Sequence, residues 1–179
     1  GNGMWTYQPD LSSKDWTDGL AEPLVGCAPG KLQPAKAGRT GVAVWHFRTP
    51  YITVETEIEL TAFRSGQGDR LTLLLSVDGG KTYKPCWTAP PGKTGNQTFK
   101  IKLDQNFEVH PAGRWKIPDD FNSPFGRYAF RLKLEMTAAS APADCRVESI
   151  TFRTTVQQAI RALPQLWPGR NNITVRGKL

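Results

Sequence analysis

Long hydrophobic runs are missing from this 179-residue chain. No apolar stretch approaches the ~20 residues that a membrane-spanning helix requires. The N-terminus shows no positive segment followed by an apolar one, so we expect that a secretory leader has been removed or was never there. Blocks of five like charges are also absent, which argues against a polybasic or polyacidic tail.

Signatures of nucleic-acid binding are equally scarce. The net charge of +7 and a pI of about 9.5 permit acidic partners, among them nucleic acid, anionic polysaccharide and a membrane surface. The basic residues are scattered, however, and no aromatic–basic motif of an RNA-binding domain is present. We therefore expect neither nucleic acid nor a membrane among the partners.

Recognisable catalytic and metal-binding patterns are lacking too. The two histidines, His46 and His110, share no spacing typical of zinc ligands. No G-x-S-x-G nucleophile elbow occurs. The sequence thus predicts no catalytic residues, and we expect the domain not to be an enzyme.

The three cysteines, Cys27, Cys86 and Cys145, are far apart and follow no metal-ligand spacing. An odd number leaves two arrangements open: one disulfide with a free thiol, or three thiols. Because free cysteine packs like a small hydrophobic residue, the second arrangement is favoured.

Alternation of apolar and polar residues with a period of two is what the sequence does contain, and it predicts half-buried antiparallel strands. Six segments show it: GVAVWHF, YITVETEIELTA, DRLTLLLSV, QTFKIKLD, RYAFRLKLEM and CRVESITF. In the second, Ile52, Val54, Ile58 and Leu60 are expected on one face, with Thr53, Glu55, Glu57 and Glu59 on the other. In the fifth, Tyr128 shares a face with Phe130, opposite Arg127 and Arg131. The last requires a bulge near Ser149, since Val147 and Ile150 are an odd number of residues apart.

These segments predict an all-β fold, an antiparallel two-sheet β-sandwich of jelly-roll-like type. We expect a single domain over 1–179, with an irregular N-terminal arm at 1–39 and a C-terminal arm, or a linker to a following domain, at 156–179. MWTYQ and NITVRG are candidates for additional strands at the ends. TTVQQAIRAL fits either a helix or an extended arm.

The loop at 104–126 is long and carries Phe107, Trp115, Phe121 and Phe125. Disordered loops rarely hold so many aromatic residues. We expect this loop to pack against the sandwich and to leave at least one ring exposed.

The stretch SVDGGKTY, residues 76–83, follows the Asp-box pattern. Its physical interpretation is a hairpin turn in which Asp78 accepts backbone hydrogen bonds and two glycines supply positive φ. Ser76 and Thr82 would then link the flanking strands, with Tyr83 starting the return strand. No repeat of 40–50 residues is visible, which argues against a propeller.

Extended to SVDGGKTYKPCWTA and flanked by TPYITVETEIELTA and RYAFRLKLEM, this pattern resembles non-catalytic β-sandwich modules of secreted bacterial polysaccharide-degrading enzymes. The resemblance covers most of residues 40–155 and is to modules of carbohydrate-binding type. It implies a secreted or cell-surface location, a polysaccharide or oligosaccharide ligand, and a catalytic domain of a larger chain as partner. Two alternatives stay open: a structural or protein-interaction spacer, and a jelly-roll polysaccharide lyase.

The resemblance also implies that a structural calcium ion is an option, with no other cofactor. Oxygen ligands of the kind that calcium prefers are available in several aspartates. They are Asp69, Asp78, Asp104, Asp119 and Asp120.

A sugar ligand needs flat aromatic rings for the apolar faces of its pyranose rings, with polar groups beside them. The candidates are Trp5, Trp16, Tyr83, Trp87, Trp115 and Trp167. Trp115 is preferred because it lies in the long loop between two basic residues, and Trp16 is second. Trp45 alternates with Phe47 and is assigned to the core.

A basic row formed by Arg127, Arg131 and Lys133 is a second candidate, which Lys100 and Lys102 would extend. Such a row would suit uronic acid or sulfated glycan. The simpler interpretation, which we favour, is cross-strand pairing with the glutamates of YITVETEIELTA.

Overall fold

The computed structural model describes residues 2–13, 15–103 and 122–157. Eight strands lie in this part of the chain: β1 Asn2–Tyr7, β2 Thr40–Arg48, β3 Ile52–Arg64, β4 Arg70–Ser76, β5 Lys84–Thr88, β6 Gly95–Lys102, β7 Ala129–Thr137 and β8 Cys145–Gln157. Its helical segments are two short 3-10 turns, Trp16–Gly19 and Pro142–Asp144. Neither they nor any other described segment forms a helix able to traverse a lipid bilayer.

The strands form two antiparallel sheets of four. Sheet A has the order β1-β8-β3-β6, and sheet B has the order β2-β7-β4-β5. Every connection between consecutive strands passes from one sheet to the other, except the β4–β5 hairpin. This is the strand order of an eight-stranded jelly roll built from two Greek keys, so the predicted fold class is confirmed.

The core lies between the sheets and follows from the period-two pattern, because each strand turns one row of side chains inward. Trp45, Leu73, Leu132 and Phe152 are at most 1% exposed. Phe47 packs its ring 4.9 Å from that of Phe152, which joins the two sheets through aromatic contacts. The assignment of Trp45 to the core is therefore confirmed.

Two bulges change which residues face inward. The register of β3 against β8 shifts between Thr53 and Glu55, and Thr53 is fully buried. The expectation that Ile52 and Val54 share the inner face with Ile58 is wrong for this reason, and both are only half-buried. A second shift leaves Glu148 unpaired between Val147 and Ser149 on β8, which confirms the bulge predicted there.

The N-terminal stretch contributes to the sandwich more than an irregular arm would. Residues 2–7 form β1, the edge strand of sheet A, which pairs with β8. Trp16 and Leu32, from the irregular part that follows, are buried in the core. At the other end, Thr154–Gln157 continue β8, while NITVRG and most of the aromatic loop, with Phe107, Trp115 and Phe121, lie outside the described residues.

All three cysteines are free thiols. The Sγ atoms of Cys86 and Cys145 lie 3.4 Å from the carbonyl oxygens of Leu73 and Arg70, respectively. Burial raises the pKa of Cys86 to about 12 and that of Cys145 to about 11. The arrangement of three thiols is the one the structure adopts.

Candidate functional site

The turn between β4 and β5 satisfies its own polar groups. Asp78 accepts hydrogen bonds from the Ser76 hydroxyl at 2.7 Å, and from the Thr82 amide and hydroxyl at 3.0 and 2.6 Å. Gly79 and Gly80 have φ of 79° and 94°, a region that other residues rarely occupy. These hydrogen bonds, those to Thr82 first, hold the pKa of Asp78 well below its usual range. The turn thus has the hydrogen bonding expected of a structural element.

Tyr83 and Arg131 lie on the outer face of sheet B. The Lys133 ammonium sits over the Tyr83 ring, 4.5 Å from its centroid. Arg131 packs against Gly80, where an added Cβ would approach its Nη1 to 2.9 Å. Its guanidinium also donates to Glu22 at 2.8 Å. One face of the tyrosine ring and the charge of the arginine are therefore already engaged.

The basic row does not extend to Lys100 and Lys102, because β6 belongs to the other sheet. The expected pairing of the β3 glutamates with the basic residues of β7 is also absent among the described residues, because the two strands lie in different sheets. The glutamates lie on the outer face of sheet A, where Glu59 binds Arg153 at 3.2 Å and Glu55 binds Lys102 at 3.6 Å. Cross-strand ion pairing with these glutamates does occur, but within sheet A: the partners are Lys102, which the extended row included, and Arg153, which it did not.

Trp16 and Trp87 are turned towards the core. Trp16 is 4% exposed and donates its Nε1–H to the carbonyl of Gly30 at 2.9 Å. Its rings are covered, so it offers no platform of the kind predicted. Trp87 lies opposite Leu73 and packs against Phe99 with 5.0 Å between ring centroids. It is half-buried.

Arg127 is exposed. The residue after it, Tyr128, carries an exposed ring that the alternation pattern predicted to be buried. Tyr128 is 56% exposed. The alternation placed it with Phe130, but β7 begins at Ala129 opposite Arg48, so Tyr128 lies beyond the paired strands. Its carbonyl accepts a hydrogen bond from the Thr49 amide at 2.9 Å. The preferred platform residue, Trp115, lies outside the described residues, as does Trp167.

A cleft of about 450 Å³ opens between β1 and β2, the edge strands of the two sheets, and we call it the edge cleft. Two half-buried rings contribute to it. Trp5 stacks on Phe47 at 5.5 Å, and Tyr7 stacks on Phe152 at 6.0 Å, so the core holds both rings in place. The lining consists of Trp5, Thr6, Tyr7, Gly19, His46, Phe47, Arg48, Thr49 and Pro50.

The polar side-chain groups of the edge cleft are hydroxyls, the His46 imidazole and the Arg48 guanidinium. None of its lining residues is acidic. His46 lies opposite Arg131 in the β2–β7 pair. Its pKa is lowered by partial burial and then by the charges of Arg131 and Arg48, so the imidazole is neutral at pH 7. Burial raises the pKa of Tyr7, which therefore keeps its hydroxyl proton.

No group of three or more His, Cys, Asp and Glu side chains is placed to share a metal ion within residues 2–13, 15–103 and 122–157. Asp69 accepts the amide protons of Gly66 at 2.9 Å and Ala139 at 2.8 Å, which ties the β3–β4 turn to the end of β7. Asp78 is engaged as described above. Asp104, Asp119 and Asp120 lie outside the described part of the chain.

The described residues thus form a jelly-roll sandwich with an aromatic and cationic cleft between the edge strands β1 and β2. No protein-family model matches the sequence, and no curated protein matches it.

Solved structures with a similar fold include two from carbohydrate-active proteins and one from a virus. The CBM36-1 domain of a multidomain xylanase from the hindgut metagenome of Trinervitermes trinervoides has 12% identity and a TM-score of 0.44, over 84% of this chain and 96% of that one. The xylan-binding module CBM15 has 16% identity and a TM-score of 0.45, over 88% and 100%. The Cowpea mosaic virus top component has 11% identity and a TM-score of 0.38, over 77% and 90%. At these identities and TM-scores the likeness carries no argument about ligand or activity.

Proposed function

We propose that this domain is a non-catalytic carbohydrate-binding module that takes a segment of a polysaccharide or oligosaccharide in the edge cleft. The observation that carries the proposal is the composition of that cleft: two aromatic rings backed by the core, beside hydroxyls and an arginine. A sugar ring stacks its C–H face on an aromatic side chain and directs its hydroxyls to polar groups. Trp5 and Tyr7 would supply the first contact, and Thr6, Thr49 and Arg48 the second.

Binding without catalysis fits the same residues. Hydrolysis of a glycosidic bond normally needs two carboxyl groups, and the cleft lining contains none. His46 is the one histidine of the lining, and partial burial, then the charges of Arg131 and Arg48, lower its pKa and disfavour the protonated form. The cleft offers recognition chemistry in place of an acid–base pair.

Further ligand contacts are proposed around the cleft. Arg127 and Tyr128 lie at the same end of the sandwich, because the Tyr128 carbonyl binds the Thr49 amide. Arg131 lies opposite His46, a lining residue of the cleft, in the β2–β7 pair. Trp115, Trp87 and Tyr83 remain candidates from the sequence.

The wider role that we propose is to hold an attached polysaccharide-degrading catalytic domain on its substrate, in a secreted or cell-surface protein. Its support is the resemblance of SVDGGKTYKPCWTA and its flanking strands to such modules. A calcium ion bound by the loop aspartates is part of the same proposal.

Affinity gel electrophoresis on a panel of neutral and acidic polysaccharides tests the binding claim. We expect retardation by at least one polymer, and loss of it in Trp5→Ala. Met4→Ala is the matched control, since Met4 adjoins Trp5 on β1 but is 71% exposed and does not line the cleft. Tyr7→Leu, which removes the second aromatic ring and keeps an apolar side chain, serves as a second variant should Trp5→Ala fail to fold, and it should also weaken retardation.

Retardation on no glycan by the folded protein would overturn the proposal and favour a structural spacer. Release of unsaturated sugar from uronate polymers, seen as rising ultraviolet absorbance, would instead indicate a lyase. Equal retardation of Trp5→Ala, Tyr7→Leu and Met4→Ala would place the binding site elsewhere.

A further inference from the structure

We infer that the edge cleft selects an anionic sugar, one that carries a carboxylate or a sulfate ester, and that Arg48 is the residue that binds the anionic group. The inference rests on the proposed function and deepens it. Its basis is the distribution of charge over the described residues.

Most acidic side chains of the described residues are held by ion pairs or by hydrogen bonds within turns. Each of the six glutamates in the described part of the chain forms an ion pair with a lysine or arginine. The pairs are Glu22–Arg131, Glu55–Lys102, Glu57–Arg153, Glu59–Arg153, Glu135–Lys133 and Glu148–Arg146. Asp69, Asp78 and Asp144 are held by hydrogen bonds in their own turns. Asp10 is bound to Ser12 in its own turn, and Asp15 and Asp18 do not line the cleft, so no lining carboxylate balances the positive charge of Arg48.

Arg48 is the cation that faces the cleft. It is the last residue of β2, is exposed, and makes no ion pair with the residues that the structure describes. Asp18, an acidic residue next to the lining residue Gly19, borders a different cavity. Glu22 is bound to Arg131. His46 lies two residues before Arg48 on β2 and opposite Arg131 on β7; partial burial first, and then the charges of these two arginines, lower its pKa.

The chemistry of the cleft matches a charged sugar better than a neutral one. A guanidinium donates two parallel hydrogen bonds to a carboxylate or sulfate, and charge-assisted bonds are about twice as strong as neutral ones. A sugar ring stacked on Trp5 or Tyr7 would place its substituents among the other lining residues of the cleft, which include Arg48 and Thr49. A neutral sugar would leave the arginine bound to water alone.

The test compares polymers that differ only in charge, at about 0.15 M salt so that long-range attraction to a protein of net charge +7 is screened. The probes are polygalacturonate with its carboxyl-reduced form, and dextran sulfate with dextran. The variants are Arg48→Gln and Arg70→Gln. Arg70 is exposed on the same sheet but pairs with Thr137, at the end opposite the Arg48–Ala129 pair, so its variant removes the same charge away from the cleft.

We expect the unmodified protein to bind one anionic polymer more tightly than its neutral counterpart. Arg48→Gln should weaken that binding by about tenfold or more, and Arg70→Gln by no more than about twofold. Dependence on Arg48 with polygalacturonate assigns a carboxylate, and with dextran sulfate a sulfate ester.

Two results would overturn the inference while leaving the glycan site in place. In the first, neutral polymers bind as tightly as the anionic ones. Their binding is lost in Trp5→Ala and is unchanged in Arg48→Gln. The other is an equal loss in Arg48→Gln and Arg70→Gln, which would mark a general effect of net charge. Binding to no polymer at all would overturn the proposed function and this inference together.

Discussion

Arg64 is expected to be the charged residue whose replacement costs the fold most. It ends β3 and is 4% exposed. Its Nη2 donates to the carbonyls of Pro90 at 2.7 Å and Lys93 at 2.6 Å, and its Nη1 to the carbonyl of Asp69 at 3.5 Å. One guanidinium therefore fastens the β5–β6 loop and the β3–β4 turn to the end of sheet A.

Arg64→Met keeps much of the side chain's volume and removes all three hydrogen bonds. A hydrogen bond from a charged donor contributes about 1.5–3 kcal/mol, so the two short ones alone correspond to a loss of about 3 kcal/mol at the lower limit. Methionine offers the freed carbonyls no donor. Part of the loss is offset because a charged group no longer has to be buried.

Urea unfolding monitored by tryptophan fluorescence measures the change. With an m-value of about 2–3 kcal/mol/M, the midpoint should fall by about 1–1.5 M at constant m. Arg64→Lys, which keeps the charge without the fork, should fall between the two proteins. Arg39→Met, at an exposed position, is the matched control and should change stability by less than about 0.5 kcal/mol. A midpoint for Arg64→Met equal to that of Arg39→Met would refute the reasoning.

Three further predictions concern titrating groups. Asp78 has a lowered pKa in the folded protein, so the stabilisation it provides is complete above the ordinary carboxyl pKa and is lost as pH falls towards the folded value. The difference in Tm between the unmodified protein and Asp78→Asn should therefore shrink below about pH 4. A difference in Tm that stays constant with pH would contradict this. Cys86 and Cys145, with raised pKa values, should react with a thiol reagent at pH 8 far more slowly than in urea, and equal rates would show that they are accessible. In an NMR titration, Arg48→Gln should raise the pKa of His46, since removing a cation favours imidazolium; no change would place Arg48 too far from the ring.

The strands were predictable because each has one face on a single core. Phe130, Leu132 and Leu134 alternate with charged residues on β7, and burial follows that alternation along the strand. The Ser149 bulge was predictable for the same reason, since an odd step between two apolar residues needs an extra residue. Local spacing is sufficient for this kind of inference.

Which strands share a sheet was not predictable from local spacing. The basic residues of β7 and the glutamates of β3 have equally regular rows, and nothing in either row shows that they lie on opposite sheets. Thr53 looked like a surface residue until the bulge against β8 turned it inward. The alternation placed Tyr128 on the buried face, but the pairing of β2 with β7 stops at Arg48 and Ala129, so Tyr128 lies beyond the paired strands. Each error depends on a partner that is distant in sequence.

The candidate site was missed for a related reason. Trp5 was one of six candidate platform residues in the sequence analysis, and the choice among them was made by expected exposure. The exposure of an aromatic ring and the fixing of its position before a ligand binds are different properties. Tyr128 is 56% exposed. Immobilising such a side chain when a ligand binds costs about 0.5–1.5 kcal/mol of conformational entropy. Trp5 and Tyr7 are already held by Phe47 and Phe152, so the core has fixed their positions before a ligand arrives. For this reason we propose Trp5 and Tyr7, the half-buried rings that the core holds, as the platforms of the edge cleft.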